Sequence, residues 1–291
     1  MKIIRVFPQK TKATPNDDFV RIGEGPGLFD EADQIHISVT FTWDLPLAEK
    51  LARQWRDVAP VTIGGPALNE RGGDFTPGMY LKPGYVITSR GCPNRCWFCS
   101  VPEREGGEIR ELPITEGHNV LDDNLLACSD KHIRRVFAML ARQKESIEFT
   151  GGLEAARLTN WVAGGLTTLR IKQMFFAYDT PDDLLPLQQA GQILQSYGFK
   201  IHPHSHCLRC FVLCGYPKDT LADATKRMEQ TMQAGFTPMA MLWKDKMGRR
   251  DPEWGKFQRL WARPAIIYGR LKQCNRWKSQ LPTGYKPVAC K

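Results

Sequence analysis

The first part of the chain alternates short apolar runs with one amphipathic stretch. Apolar residues dominate 3–7 and 61–63, and they alternate with polar ones over 34–41, so all three segments predict β-strands. Residues 46–57 repeat apolar positions at a spacing close to four, which predicts a helix. Strand, helix and strand in this order predict a small parallel α/β unit.

A second series follows the Gly- and Pro-rich residues 64–80. Its helices are predicted at 130–143, 182–197 and 221–234. Its six strands are predicted at 85–89, 119–121, 147–150, 173–178, 208–214 and 237–243. Strands that alternate with helices indicate a parallel sheet with right-handed crossovers, and the pattern alone leaves open whether that sheet closes.

Positive charge is concentrated at the end of the chain. The whole chain has 40 Lys and Arg against 31 Asp and Glu, a net charge of +9. Residues 244–291 hold 13 of the basic and 3 of the acidic residues, a net of +10, which leaves −1 for residues 1–243. Aromatic residues are interleaved with this charge, a combination that suits a polyanion such as nucleic acid. Arg263 and Arg270 are therefore candidate substrate contacts.

Part of this segment also predicts a packed helix. Asp251 followed by Pro252 is typical of an N-cap and a first helical residue. Trp254, Phe257 and Trp261 would then share one face, which favours a role in the core rather than in binding.

Composition argues against membrane insertion and secretion. The chain has no run of about 18 uncharged apolar residues, and its start turns polar too soon for a signal peptide. Its nine cysteines do not form an even extracellular framework. We therefore expect a cytoplasmic protein with no membrane partner.

Three of these cysteines, Cys92, Cys96 and Cys99, form a C-x3-C-x2-C array. Three soft thiolates in eight residues can bind one face of a four-iron cluster and leave the fourth iron open. A structural zinc site is the alternative, but zinc usually takes four protein ligands. A disulfide between two of these cysteines would leave the third unpaired.

The array resembles the signature of the radical SAM superfamily. The resemblance implies a [4Fe-4S] cluster whose open iron binds S-adenosyl-L-methionine, and an external electron donor such as flavodoxin or ferredoxin. Reductive cleavage would give a 5′-deoxyadenosyl radical that abstracts hydrogen from a substrate. It also implies an α/β fold with a partial (β/α)6 radical SAM barrel at 79–245, preceded by a small Rossmann-like α/β domain at 1–78 and followed by the basic segment 246–291.

The small domain resembles a truncated form of the cobalamin-binding module that precedes the barrel in one branch of this superfamily. The Gly64-Gly65-Pro66 turn fits that resemblance. The Asp-x-His-x-x-Gly motif that supplies the lower cobalt ligand is missing from the sequence, and His36 lies inside a predicted strand. We therefore predict no cobalamin.

The resemblance assigns cofactor contacts to turns after the predicted strands, where α/β proteins gather their chemistry. Phe98 would lie near the adenine. Two turns compete to bind the methionine amino group. The first contains Asp122 and Asp123 and is favoured by strand order. The second contains Gly151 and Gly152 and is closer to the family's glycine-rich motif.

Two later turns complete this set. Asp179 takes the place of an acidic residue that contacts the cofactor in relatives, although it could instead cap the helix that follows. Gly215 and Tyr216 resemble the glycine–proline turn that approaches the adenine, where glycine allows close approach of the backbone.

A dense group of potential ligands lies between 202 and 214. Cys207, Cys210 and Cys214 could hold a second metal, but a strand pattern with Cys210 and Cys214 on one face favours packing. His204 and His206 fit a substrate-facing loop, where they could bind phosphate or relay a proton.

The sequence says less about the identity of the substrate than about the type of reaction. The basic segment favours modification or isomerisation of a nucleic-acid- or nucleotide-linked group, such as a hypermodified base, and the compact form resembles phage-encoded radical SAM proteins near nucleic-acid modification functions. The alternatives are a free small metabolite or a non-enzymatic iron–sulfur redox protein. The sequence leaves the catalytic residues beyond the cluster undefined.

Overall fold

A computed structural model describes residues 1–200, 207–245, 247–249, 251–262 and 267. It shows an α/β protein with one four-stranded and one six-stranded parallel sheet in the described residues. The chain divides into two compact units. The first comprises Met1–Gly117 with Met247 and Gly248, and the second comprises the described residues of His118–Asp245 and those from Arg249 onward.

The first unit contains the smaller sheet. Its elements are β1 (Ile3–Phe7), β2 (Val20–Ile22), β3 (Gln34–Ser38), α1 (Leu45–Trp55) and β4 (Val61–Gly64). The strands lie in the order β2-β1-β3-β4, and all three pairs are parallel. Ile4, Ile35 and Ile37 are buried with Leu51 and Trp55 of α1. The apolar side chains on one face of β3 therefore pack against the apolar face of α1 in one small core.

The remaining elements of this unit are short. They are β5 (Tyr85–Val86), β6 (Ser89–Arg90), α2 (Val101–Glu105) and β7 (Arg110–Glu111). Strands β6 and β7 are antiparallel, with Arg90 opposite Arg110. The segment between them carries the cysteine array, so its two ends meet in a two-stranded ribbon.

The later part of the chain alternates strands with helices. The strands are β8 (Asn119–Val120), β9 (Ile147–Phe149), β10 (Ile171–Tyr178), β11 (Leu208–Cys214) and β12 (Thr237–Leu242). The helices are α3 (Asp130–Ala141), α4 (Asn160–Thr167), α5 (Leu184–Ser196), α6 (Leu221–Gln233) and α7 (Pro252–Trp261). The larger sheet has the order β5-β8-β9-β10-β11-β12, and among its described strands it does not close into a barrel.

The predicted helix near the end of the chain is confirmed. Asp251 is the N-cap, and its carboxylate accepts hydrogen bonds from the backbone N–H groups of Glu253 and Trp254. Phe257 and Trp261 are buried, at 8% and 1% exposure, so these rings do belong to the core. Trp254 is half-buried.

Other elements differ from the pattern. The strand predicted at 85–89 is split into β5 and β6, and β2 was not predicted. Helix α4 was missed because Gly164 and Gly165 lower its helix propensity. A Cβ at Gly165 would lie 2.7 Å from the Phe137 ring, so glycine is needed for the contact between α4 and α3. Within the described part of the chain, no helix is long and apolar enough to span a bilayer.

Candidate functional site

The cysteine array lies in the first unit, between β6 and α2. Cys92, Cys96 and Cys99 are each half-buried, and the Cys99 N–H donates to the Cys96 carbonyl at 3.0 Å. Gly91 opens the segment with φ +90°, and a Cβ there would lie 2.1 Å from the Glu108 carbonyl oxygen. Only glycine fits this entry, so the path of the chain into the array is closely defined.

The donor chemistry of the three cysteines suits an iron–sulfur cluster. All three residues carry thiols rather than disulfides. Among the residues that the structure describes, no three His, Cys, Asp or Glu side chains are grouped closely enough to hold a metal ion. The segment thus offers the soft ligands that such a cluster needs.

Two aromatic side chains lie within the array. Phe98 is half-buried and packs edge-to-face on Trp97, with ring centroids 5.3 Å apart. Trp97 is 61% exposed. Phe98 is therefore the more shielded of the two rings.

In the second unit, the two turns that compete for the amino group lie side by side. The N–H groups of Thr150 and Gly151 both donate to the Val120 carbonyl, at 3.1 and 3.0 Å. A Cβ at Gly151 would lie 2.4 Å from the Asp122 carbonyl oxygen. The turns after β8 and β9 are thus adjacent in the structure.

The side chains in these two turns differ in exposure. Asp122 is 1% exposed, whereas Asp123 and Gly152 are half-buried. Gly152 has φ +97° and nothing within 4 Å of a Cβ position, so its backbone borders open space. Glu154, for which the sequence predicted no role, accepts a hydrogen bond of 2.6 Å from the Asn124 side-chain amide. The feature of the sequence that could have indicated Glu154 is its position three residues after Gly151, in the turn after β9.

Asp179 lies directly after β10. Its pKa is raised to about 7 by burial and by the neighbouring Asp183 carboxylate, although a hydrogen bond from the Leu213 backbone and the charge of Arg227 act against this rise. The helix that follows is capped by Thr180 and Asp183, which form a capping box. Asp179 is thus a shielded carboxyl group that can hold a proton near neutral pH.

The turn after β11 is fixed by a buried ion pair. The Gly215 N–H donates to Asp219 Oδ2 at 2.8 Å, and the same oxygen accepts from Arg227 Nη2 at 2.8 Å. Arg227 also donates to the Leu213 carbonyl at 3.0 Å, and its guanidinium lies 5.3 Å from the centroid of the Tyr216 ring. Gly215 has φ +73°, and a Cβ there would come within 3.0 Å of Trp254. The Gly215–Tyr216 turn is therefore held from several sides.

The cysteines of β11 are packed rather than exposed. Cys210 and Cys214 are buried at 0% and 1% exposure. Burial is the main cause that raises the pKa of both thiols, to about 12 for Cys214. Thiols in such surroundings stay protonated, which suits core packing better than metal ligation.

The four proposed substrate residues, His204, His206, Arg263 and Arg270, are not among those that the structure describes. His36, by contrast, is held within the small sheet, where its ring nitrogens are hydrogen-bonded to Tyr80 Oη at 2.7 Å and to Gln34 Oε1 at 3.1 Å.

No protein-family model and no curated protein matches this chain. Any functional assignment therefore rests on the residues and contacts described above.

Proposed function

We propose that this chain is a radical SAM enzyme that binds a [4Fe-4S] cluster through Cys92, Cys96 and Cys99. The observation that carries the proposal is the C-x3-C-x2-C array in a segment whose ends are joined by β6 and β7. When bound, the cluster would supply the electron that cleaves S-adenosylmethionine and so start radical chemistry on the substrate.

The fold is consistent with this proposal. Six parallel strands in one sheet, with helices between them, are the elements of a partial (β/α)6 barrel. The small four-stranded sheet would correspond to a truncated cobalamin-binding domain that uses no cobalamin. Asp123, Asp179 and Gly215 all follow the carboxyl ends of strands of the larger sheet, where ligands of such sheets bind.

Each turn can then be given a role toward the cofactor. The half-buried Asp123 carboxylate and the backbone carbonyls near Gly152 would accept hydrogen bonds from the methionine ammonium group. Asp179, whose pKa is raised to about 7, would in its protonated form both donate to and accept from a ribose hydroxyl. The backbone of Gly215, with Tyr216 beside it, would pack along the adenine.

Anaerobic reconstitution with iron and sulfide tests this proposal. Wild-type protein should give a four-iron EPR signal that shifts on addition of S-adenosylmethionine, and it should form 5′-deoxyadenosine under dithionite. Cys96→Ala should lose both results, while Cys128→Ala, which alters a cysteine outside the array, should retain them. A fully loaded wild-type protein that cleaves no cofactor would refute the proposal and favour an iron–sulfur electron carrier.

For the substrate, we propose a nucleic-acid- or nucleotide-linked group. The support is the net charge of +10 in residues 244–291. Truncation before α7 would remove the buried Phe257 and Trp261, so charge-neutralising substitutions are the cleaner test. Arg263→Gln and Arg270→Gln should each weaken DNA binding and lower its salt dependence by about one counterion per lost phosphate contact.

The matched control for these substitutions is Arg53→Gln, which removes one positive charge from α1. It should leave the salt dependence of DNA binding unchanged. Wild-type protein that binds neither DNA nor RNA at low salt would exclude a nucleic-acid substrate and favour a free small molecule.

A further inference from the structure

One buried carboxylate, that of Glu105, connects both ends of the segment that carries the cysteine array. Its side chain has 0% exposure. Arg110 Nη2 donates to Glu105 Oε2 at 2.7 Å, Arg104 Nε donates to Oε1 at 3.0 Å, and Arg90 Nη1 lies 3.7 Å from Oε1. Arg90 immediately precedes Gly91 and the array, and Arg110 follows it in β7. The negative charge of Glu105 therefore compensates the positive charges of the two arginines that face each other across the ribbon.

The same carboxylate also holds the Gly- and Pro-rich stretch that leads toward the array. The Gly72 N–H donates to both Glu105 oxygens, at 3.3 and 3.2 Å. The Gly72 carbonyl accepts from Arg110 Nη2 at 2.8 Å, and the Gly73 carbonyl accepts from Arg90 Nε at 3.0 Å. A Cβ at Gly72 would lie 2.6 Å from Arg90 Cζ, so the backbone is in close contact with the guanidinium.

These contacts stabilise the ionised form of Glu105. Burial alone would raise the pKa of its carboxyl group, but hydrogen bonds from Arg104, Arg110 and the Gly72 backbone outweigh burial and lower it. A buried ionised group that is bonded on both oxygens is costly to disturb, because removing it leaves its cationic partners uncompensated. The contacts thus form a rigid anchor at the base of the segment.

We infer that Glu105 is a positioning residue for metal binding by Cys92, Cys96 and Cys99. This inference rests on the proposed function of the array. Three thiolates can bind one metal only if the chain places them together, and holding that arrangement costs less entropy when the ends of the segment are already fixed. Glu105 fixes those ends through Arg90, Arg110 and Gly72.

Cobalt(II) binding to the anaerobic, metal-free protein tests this inference without any catalytic assay. Thiolate-to-cobalt charge-transfer absorption reports both the affinity and the number of thiolates bound. Glu105→Gln keeps the shape of the side chain but removes its charge. We expect its cobalt dissociation constant to rise about tenfold, the lower end of what supporting residues contribute at metal sites. We also expect less absorption per bound cobalt, because fewer thiolates reach the metal together.

Glu103→Gln is the matched control. It removes an exposed carboxylate from the same short helix and should leave affinity and absorption unchanged. A variant that is merely less stable would still show the wild-type absorption per bound cobalt once folded, so that measurement separates positioning from a general loss of stability. Iron and sulfide content after reconstitution should follow the same order as cobalt affinity.

The outcomes separate the inference from the proposed function. Wild-type protein that binds neither cobalt nor an iron–sulfur cluster would refute the proposed function, and this inference with it. Wild-type binding with equal affinity and absorption in Glu105→Gln would overturn the inference alone. If Glu105→Gln does not fold, Arg110→Lys takes its place, because it keeps the positive charge but loses the paired contacts to Gly72 and Glu105. Unchanged cobalt binding in folded Arg110→Lys would equally overturn the inference.

Discussion

Replacing Asp179 by Asn should remove a pH-dependent loss of stability. Burial and the Asp183 carboxylate raise the pKa of Asp179 from 3.8 to about 7. Between these two values the folded protein retains a proton that the unfolded chain has released. The folded state therefore binds more protons than the unfolded one, and the free energy of unfolding falls as pH rises through this window. Above about pH 7 both states are ionised, and the loss is complete.

The magnitude follows from the difference between the two pKa values. A shift of about three units corresponds to about 4 kcal/mol of lost stability, as an upper value for a carboxyl group that water still partly reaches. Asn cannot ionise and is close in shape to the protonated acid. The stability of Asp179→Asn relative to wild type should therefore increase by up to about 4 kcal/mol between about pH 4 and pH 8.

Urea unfolding at a series of pH values measures this difference. Subtracting the wild-type free energy of unfolding from that of Asp179→Asn cancels the contributions of the titrating groups that do not interact with Asp179. Asp182→Asn is the matched control, because it removes an exposed carboxylate from the adjoining turn and should change little with pH. A difference between Asp179→Asn and wild type that stays constant across this range would refute the assignment of Asp179 as a buried, proton-holding group.

Two further substitutions test the packing of the second unit. Asp219→Asn should lower the free energy of unfolding by about 3–5 kcal/mol, because it leaves the charge of the buried Arg227 guanidinium uncompensated. Asp223→Asn, on the exposed first turn of α6, should lower it by less than about 1 kcal/mol. Trp261→Ala should cost about 3–5 kcal/mol through loss of a buried ring, and Trp97→Ala, which removes an exposed ring, should cost less than about 1 kcal/mol. Urea unfolding measures all four, and equal losses within either pair would contradict the burial described here.

Local pattern was enough to predict much of the secondary structure. The strands β1 and β11 have the bounds that their apolar runs predict, and α7 begins at the predicted cap. Pattern failed where a tertiary contact overrides local preference. Helix α4 contains two glycines that disfavour a helix, and one of them is required by the Phe137 ring that packs against it. The three-residue strand β2 is too short to show a period and depends on pairing with β1.

In the candidate site, too, some features follow from the sequence and others only from tertiary contacts. Sequence alone presented Asp122 and Gly151 as competing positions, and only the pairing of β8 with β9 shows that the two turns adjoin. The role of Glu105 had no sequence signal, because its partners Arg90, Arg110 and Gly72 come from separate segments.

The sequence by itself determined which chemical groups the chain offers: three closely spaced thiols, a basic end, and helices and strands with defined apolar faces. The tertiary structure decided which of those groups share an environment. It buried Asp179 beside Asp183, paired Asp219 with Arg227, and gathered three arginines around one glutamate. The physical reason is that side-chain periodicity is set by neighbours along the chain, whereas burial and charge pairing depend on strand order and chain crossings that join distant residues.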